Sequence, residues 1–170
     1  MENTREEHKS RGRGRDSRRP AREARVQEFQ EQVIDLRRVT RVMAGGKRFR
    51  FRATLLLGNG KGKIGVGVAK GLDVESSIAK AKAKAKRNII EIKLKDGSIL
   101  HQVEAKFSAA QVLIKPAPVG HGLMAGGSPR LVLKLAGVEN ATAKCIGSTT
   151  NKLTNALATI EALKNLKISK

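Results

Sequence analysis

Lys47-Arg48-Phe49-Arg50-Phe51-Arg52-Ala53-Thr54-Leu55, then Gly58-Asn59-Gly60-Lys61-Gly62-Lys63-Ile64-Gly65-Val66-Gly67-Val68, is the stretch that decides the fold. Arg48, Arg50 and Arg52 alternate with Phe49, Phe51 and Ala53, and Leu55 follows in phase. A strand sends successive side chains to opposite faces, so the arginines share one face of a sheet and the apolar set the other. Ile64, Val66 and Val68 alternate likewise, with Gly65 and Gly67 opposite. The glycine-rich run between them is a hairpin signal. Upstream, Arg37–Val42 reads as a strand and Met43-Ala44-Gly45-Gly46-Lys47 as a second turn. The prediction is a three-stranded antiparallel meander.

A helix over 75–92 follows. Ile78, Ala81, Ala85, Ile89 and Ile92 form an apolar stripe. Lys80, Lys84 and Arg87 lie opposite it, with Lys82 and Lys86 at its margins. The Ala-Lys alternation also fits a strand, but alanine and lysine favour helix and the run exceeds an ordinary strand. Asp96-Gly97 marks a turn, Ser98–Val103 a short strand and Glu104–Ala110 a connector. Beyond it, Gln111–Lys115 is strand-like and stops at Pro116-Ala117-Pro118. Gly120–Gly127 is a glycine-rich loop. Ser128 as cap and Pro129 in the first turn open a helix that Ala136-Gly137-Val138 ends. Ala141–Gly147 is strand-like. Leu153, Ala156, Leu157, Ile160 and Leu163 give an amphipathic helix near 151–166. Strands and helices interleave in both halves, so the class is mixed α+β and α/β in two units.

Residues 1–33 read as a tail, with Ser10-Arg11-Gly12-Arg13-Gly14-Arg15 and Arg18-Arg19-Pro20 charged and poor in apolar side chains. It is either a solvated arm or one that orders in an RNA groove. Within Glu23–Leu36, Val26, Phe29, Val33 and Leu36 are spaced for a short helix.

The chain has 170 residues, with 35 Lys and Arg against 15 Asp and Glu, a formal net charge of +20. The excess is segregated. Residues 37–95 hold 17 basic and 3 acidic side chains, a net of +14. Such self-repulsion disfavours a compact state unless a polyanion screens it. Nucleic acid is the leading candidate and an anionic membrane surface the second. Aromatic residues are 2% of the chain, four Phe with no Trp or Tyr. Binding through phosphates and the shape of folded RNA therefore fits better than base stacking along a single strand. No apolar run approaches the ~18 residues of a membrane span. No secretory or transit signal is visible, and the lone Cys145 excludes an internal disulfide framework, so a cytosolic setting is expected.

Three motifs invite chemistry. Gly60-Lys61-Gly62-Lys63-Ile64-Gly65 formally matches the dinucleotide fingerprint, but a strand follows it where a helix is required. Close-approaching glycines flanked by Lys61 and Lys63 suit an RNA backbone better. Gly120–Ser128, a glycine-rich loop running into a helix start, is an anion-site candidate and faintly resembles the phosphate loop of one small-molecule kinase superfamily. The acidic groups a phosphotransferase needs are sparse. Cys145 sits in an apolar run without a neighbouring His, which favours an inert thiol. His8, His101 and His121 are too scattered for a metal site. No catalytic residue, metal or cofactor is assigned.

The run Arg38-Val39-Thr40-Arg41-Val42 through Gly45-Gly46-Lys47-Arg48-Phe49-Arg50-Phe51, then Gly58–Gly67 and Ala69-Lys70, strongly resembles the family of the fifth protein of the small ribosomal subunit, bacterial type. Ala125-Gly126-Gly127 to Arg130, Leu135–Val138 and Lys144–Ser148 continue the match in order. The resemblance spans about residues 34–166. It implies an N-terminal domain of the double-stranded-RNA-binding type, a sheet plus helix, at 34–106. It also implies a C-terminal βαβ domain at 107–166, flanked by the 1–33 arm and a 167–170 tail. It implies small-subunit ribosomal RNA, mRNA where it enters the ribosome, and the fourth and eighth small-subunit proteins as partners, with a role in assembly and decoding accuracy. By position, Val39, Thr40 and Arg41 begin a loop at the head–body hinge and its antibiotic site. Gly122 and Arg130 match the contact with the fourth protein. Asn59 stands where the family has Asp and Glu75 where it has Pro. The stretch Thr149-Thr150-Asn151-Lys152 lacks the family's Pro before the final helix, and Leu157 replaces a frequent basic residue.

The expected function is a ribosome-bound, cytoplasmic, non-enzymatic RNA-binding protein. Arg37, Arg38, Arg41, Lys47, Arg48, Arg50, Arg52, Lys61, Lys63, Lys80, Lys84 and Arg87 are the expected phosphate contacts. A free-standing RNA chaperone of the same fold and a phosphotransferase using Gly120–Ser128 are the alternatives.

Overall fold

The computed structural model describes residues 29–166. Two four-stranded sheets carry the chain. The first has the order β1-β2-β3-β4, with β1 Gln30–Met43, β2 Gly46–Gly58, β3 Lys63–Gly71 and β4 Ile89–Glu91, all antiparallel. Helix α1, Val74–Arg87, links β3 to β4. The second sheet has the order β5-β6-β8-β7, with β5 Val103–Phe107, β6 Ala110–Pro116, β7 Leu123–Ala125 and β8 Ala141–Cys145. Helix α2, Gly127–Ala136, joins β7 to β8, which run parallel, so β7-α2-β8 is the expected βαβ unit. Helix α3, Lys152–Lys164, closes the fold.

The first sheet is buried on two sides. Leu55 and Leu57 of β2 meet Ala81 and Ala85 of α1 in a small core with Ala53 and Ala69. Their neighbour Leu56 points the other way, with Ile64 and Val66, into a larger core shared with α2, α3 and the second sheet. The three fully buried leucines in a row therefore serve two cores. Gly65 and Gly67 face α1 as the alternation requires. A Cβ on Gly67 would lie 2.6 Å from the Ala85 amide nitrogen, so the helix backbone rests directly on the strand.

Several expectations are corrected. The sequence predicts a meander of three strands and a helix to 92; the structure ends α1 at Arg87. The Asn88 amide donates back to the Lys84 and Ala85 carbonyls, and Ile89–Glu91 turns into β4 against β3. The helical spacing of Val33 and Leu36 is misleading: both lie in β1, whose register with β2 slips at Val33/Asp35 and buries Ile34. The rest of the predicted tail, 1–28 including Val26 and His8, and the tail 167–170 lie outside the described residues.

The predicted strand Ser98–Val103 is instead a turn in which Ser98 bridges both Lys95 and Asn140, and β5 begins at Val103 and runs into the predicted connector. In the Gly120–Gly127 loop, Leu123–Ala125 pairs with β8 as β7. Gly126, not Ser128, occupies the cap of α2; Ser128 is buried inside the first turn. At the far end Gly137 closes α2 with φ +87°, the left-handed conformation that favours glycine. The final helix lacks the family's proline but is capped by Asn151, whose side-chain oxygen accepts the Leu153 amide at 3.1 Å.

Candidate nucleic-acid interface

β3 pairs with β2 only as far as Phe51↔Gly71. Beyond that point β1 and β2 continue alone, so Val39–Arg50 forms a two-stranded arm extending about 15 Å past the sheet at ~3.4 Å per residue. Every residue from Thr40 to Arg50 is exposed. Gly46, at φ +128°, makes the tight turn at the tip.

Pairing register assigns the cations to faces. Arg37 lies opposite Arg52, Val39 opposite Arg50 and Arg41 opposite Arg48, and Arg52 opposite Lys70 on β3. Residues directly opposite share a face, so Arg37, Arg41, Arg48, Arg50, Arg52 and Lys70 form one cationic surface. Val39, Arg41, Met43, Arg48, Arg50 and Lys70, with Thr40 between them in sequence, line a cavity of about 330 Å³ there. Like charges directly opposite across an antiparallel pair are destabilising. Here Arg41 faces Arg48 and Arg37 faces Arg52. The acid near them is Asp35, whose carboxylate holds the Arg37 guanidinium at 2.6 Å. Lys70 was missed by the sequence reading. Its signal was there: one more step of the Ile64, Val66, Val68 alternation.

The remaining expected contacts fall elsewhere. Arg38 and Lys47 lie on the opposite face of the arm with Phe49, which is 47% exposed and not part of the core. Lys80, Lys84 and Arg87 are exposed on α1. Lys82 turns instead to Glu31 of β1, at 2.8 Å. Lys61 and Lys63 sit at the other end of β2, about 40 Å from the arm tip along a 13-residue strand. The structure thus divides the twelve cations among the two arm faces, the helix and the distal hairpin. Val39, Thr40 and Arg41 are not a loop: all three are paired in β1.

The hairpin glycines contact protein where RNA was expected. Gly60 and Gly62 donate their amides to the Leu135 and Ala136 carbonyls at 3.0 and 2.8 Å, satisfying the last carbonyls of α2. A Cβ on Gly137 would lie 2.5 Å from the Gly60 carbonyl carbon. Asn59 accepts from the Lys61 and Lys63 amides through its side-chain oxygen at 2.8 and 2.9 Å, a role that needs only an acceptor oxygen and that a carboxylate could equally fill.

In the largely exposed Gly120–Ser128 loop two amides are likewise turned inward. The Gly120 and Gly122 amides both donate to the Asn140 side-chain oxygen, at 3.2 and 3.1 Å. Two of the donors a phosphate would need are thus engaged. Asn140 is buried, and sequence reading gave it no role. Arg130 is exposed on α2 and lines an open groove with Leu123, next to Gly122, and with Lys134 and Glu139. Among the described residues no cluster of three His, Cys, Asp or Glu side chains is placed to hold a metal. Burial pushes the Cys145 thiol up from its ordinary value, against a smaller lowering by Lys144, so it stays protonated near neutrality. No helix among the described residues is long and apolar enough to cross a membrane.

Residues 29–93 match the family described as Ribosomal protein S5, N-terminal domain, and residues 105–170 that described as Ribosomal protein S5, C-terminal domain. The small ribosomal subunit protein uS5 of Campylobacter jejuni is 45% identical over 141 residues, covering 83% of this chain and 95% of that protein. The uS5 of Thermotoga maritima is 45% identical over 144 residues, 85% of this chain and 80% of its own length. That of Thermus thermophilus is 41% identical over 140 residues, 82% and 86%. These are ribosomal proteins, not enzymes, and the phosphotransferase reading falls with that family and with the two engaged loop amides. With both sheets and their helices matched in order, the chain belongs to the ribosomal protein S5 family of the small ribosomal subunit.

Proposed function

We propose that the chain is a structural constituent of the small ribosomal subunit and grips ribosomal RNA mainly through phosphates. The observation that carries this reading is the sheet face, running from the arm into its base, on which Arg37, Arg41, Arg48, Arg50, Arg52 and Lys70 lie together with arginines directly opposed. A surface that repels itself in the free chain is stabilised when phosphate oxygens stand between the guanidinium groups. Lys80, Lys84 and Arg87, and separately Lys61 and Lys63, are further phosphate contacts on other sides of the molecule.

Finer roles rest on the family resemblance. They are contact with the fourth small-subunit protein around Gly122 and Arg130, contact with the eighth, and an effect on mRNA and decoding accuracy. So does a place for Val39, Thr40 and Arg41 at the head–body hinge. The position of Arg130 beside Leu123 in one groove supports the first of these.

Filter binding of the full chain to small-subunit ribosomal RNA across a salt series tests the phosphate grip. Log affinity is expected to fall linearly with log salt, by roughly 0.7 to 0.9 per phosphate contact. Arg50→Glu with Arg52→Glu is expected to weaken binding to all RNA sequences and flatten the slope. A salt-insensitive complex refutes the reading. Co-sedimentation with the small subunit in cell extract separates a subunit constituent from a free-standing RNA chaperone.

A further inference from the structure

Phe49 is the feature the phosphate reading leaves unexplained. It is one of four aromatic residues in the chain and the only ring on an arm whose other residues are cations, Thr, Val, Met, Ala and Gly. The arm has no third strand to cover it, and 47% of the residue is exposed. The carbon of the Arg38 guanidinium lies 4.3 Å from the Phe49 ring centroid, a cation–π stack of two planar groups. Thr40 is directly opposite Phe49, Phe51 is half-buried beside it on the same face, and Lys47 is two residues along. None of the arginines opposed to one another is on this face.

We propose that Arg38 and Phe49 form a stacking platform for one unpaired nucleobase of the bound RNA. This rests on the phosphate reading above, because the arm's cations must first bring RNA to the ring. A base inside a continuous helix has both faces covered and has no use for the ring. A bulged or loop base exposes a planar apolar surface that a phenyl ring and a guanidinium both accept, whatever its identity. The two faces of the arm thus divide the work: one holds phosphates, the other a base.

The test uses the full chain and three RNA hairpins: one with a single bulged adenosine, one fully paired, and one with an abasic bulge. The wild type is expected to prefer the adenosine bulge over the other two. Phe49→Ala removes the ring, and Phe49→Leu keeps apolar volume without a π-face, guarding against a misfolded arm. Both are expected to lose about 5-fold to 150-fold in affinity for the adenosine bulge, while binding to the paired and abasic hairpins and the salt slope stay unchanged. Arg38→Lys, which keeps the charge and loses the plane, is expected to lose part of the preference. Equal binding of all three hairpins by the wild type, or equal losses on all three in Phe49→Leu, overturns the platform. A flat salt slope on the paired hairpin would refute the phosphate grip separately.

Discussion

Replacing Gly67 by Ala adds one methyl group between a strand and a helix that leave no room for it. Its Cβ would stand 2.6 Å from the Ala85 nitrogen and 3.0 Å from the Ala81 carbonyl carbon, with the Ala81 oxygen nearer still. Ordinary contact begins near 3.4 Å, so α1 must lift by about 0.8 Å or more. No flexible side chain can yield, because every one of these atoms belongs to helix backbone. A gap of 0.5–1 Å forfeits about a quarter to a half of each dispersion contact across it. The small core under α1 has only two large fully buried side chains, Leu55 and Leu57, so it has little to spare. Overpacking a core typically costs about 1–3 kcal/mol, and this position belongs at ~3. Urea denaturation reads the effect directly: with an m-value of about 2 kcal/mol/M, the midpoint drops by ~1.5 M. Gly45→Ala is the control, since nothing lies within 4 Å of its Cβ, and its shift is expected to stay within ~0.5 kcal/mol. Formal charge is unchanged in both variants. RNA affinity is nonetheless expected to fall in Gly67→Ala alone, because Lys80, Lys84 and Arg87 move with the helix. A Gly67→Ala midpoint within about 0.3 M of wild type would refute the close-approach argument.

Gly137→Ala combines a left-handed φ of +87° with a Cβ 2.5 Å from the Gly60 carbonyl carbon, and is expected to lower stability by about 2–4 kcal/mol in the same denaturation assay. Asn140→Ala takes away the oxygen that accepts both the exposed Gly120 amide and the half-buried Gly122 amide, at a cost of about 0.5–1.5 kcal/mol per hydrogen bond; faster amide hydrogen exchange at those two residues would show it. Asn140→Asp, which keeps the acceptor oxygen, is expected to leave their exchange slow. Arg41→Glu places an acid directly opposite Arg48 and is expected to raise the free chain's stability by about 0.2–1 kcal/mol at low salt, while its RNA affinity falls. A thermal midpoint that drops, or a gain that persists in 1 M salt, would show that repulsion between the opposed arginines is not what the substitution relieves.

The β2–β3 hairpin was legible because its alternation is strict and its turn is glycine-rich. β1 was half legible. Its bulge at Ile34 breaks the period of two, and as an edge strand it buries little, so Val33 and Leu36 look helical by spacing alone. β4 was hidden because Ile89 and Ile92 continue the stripe of α1. Asn88 ends that helix with backbone bonds that no periodicity announces. β5 does alternate, with Val103 and Ala105 buried and Glu104 and Lys106 exposed, but its five residues give the pattern little length. The arginine face could be read from Arg48, Arg50 and Arg52, since alternation alone fixes it. Which strand lies opposite, and hence that arginine meets arginine, depends on register. The glycines at 58–62 look ligand-facing for a related reason: sequence shows that backbone comes close, not what it comes close to.

That last point changes how the charge is tolerated. At physiological salt the screening length is about 8 Å, so Arg41 feels Arg48 across the ladder, but neither feels Lys61 about 40 Å down the same strand. The net of +14 in residues 37–95 is therefore a set of separate local repulsions on a rigid frame, and no single cluster has to be held together. The frame must then keep those groups at fixed separations, which is what the joint at Gly58–Gly62 secures. Gly60 and Gly62 cap α2, and Leu56, Ile64 and Val66 enter the core of the second sheet. An RNA-binding protein that met its phosphates through one dense patch would need no such joint. On the proposed reading, in which phosphates are met at both ends of a 13-residue strand, the second unit has to hold the first straight, even though it contributes few of the cations itself.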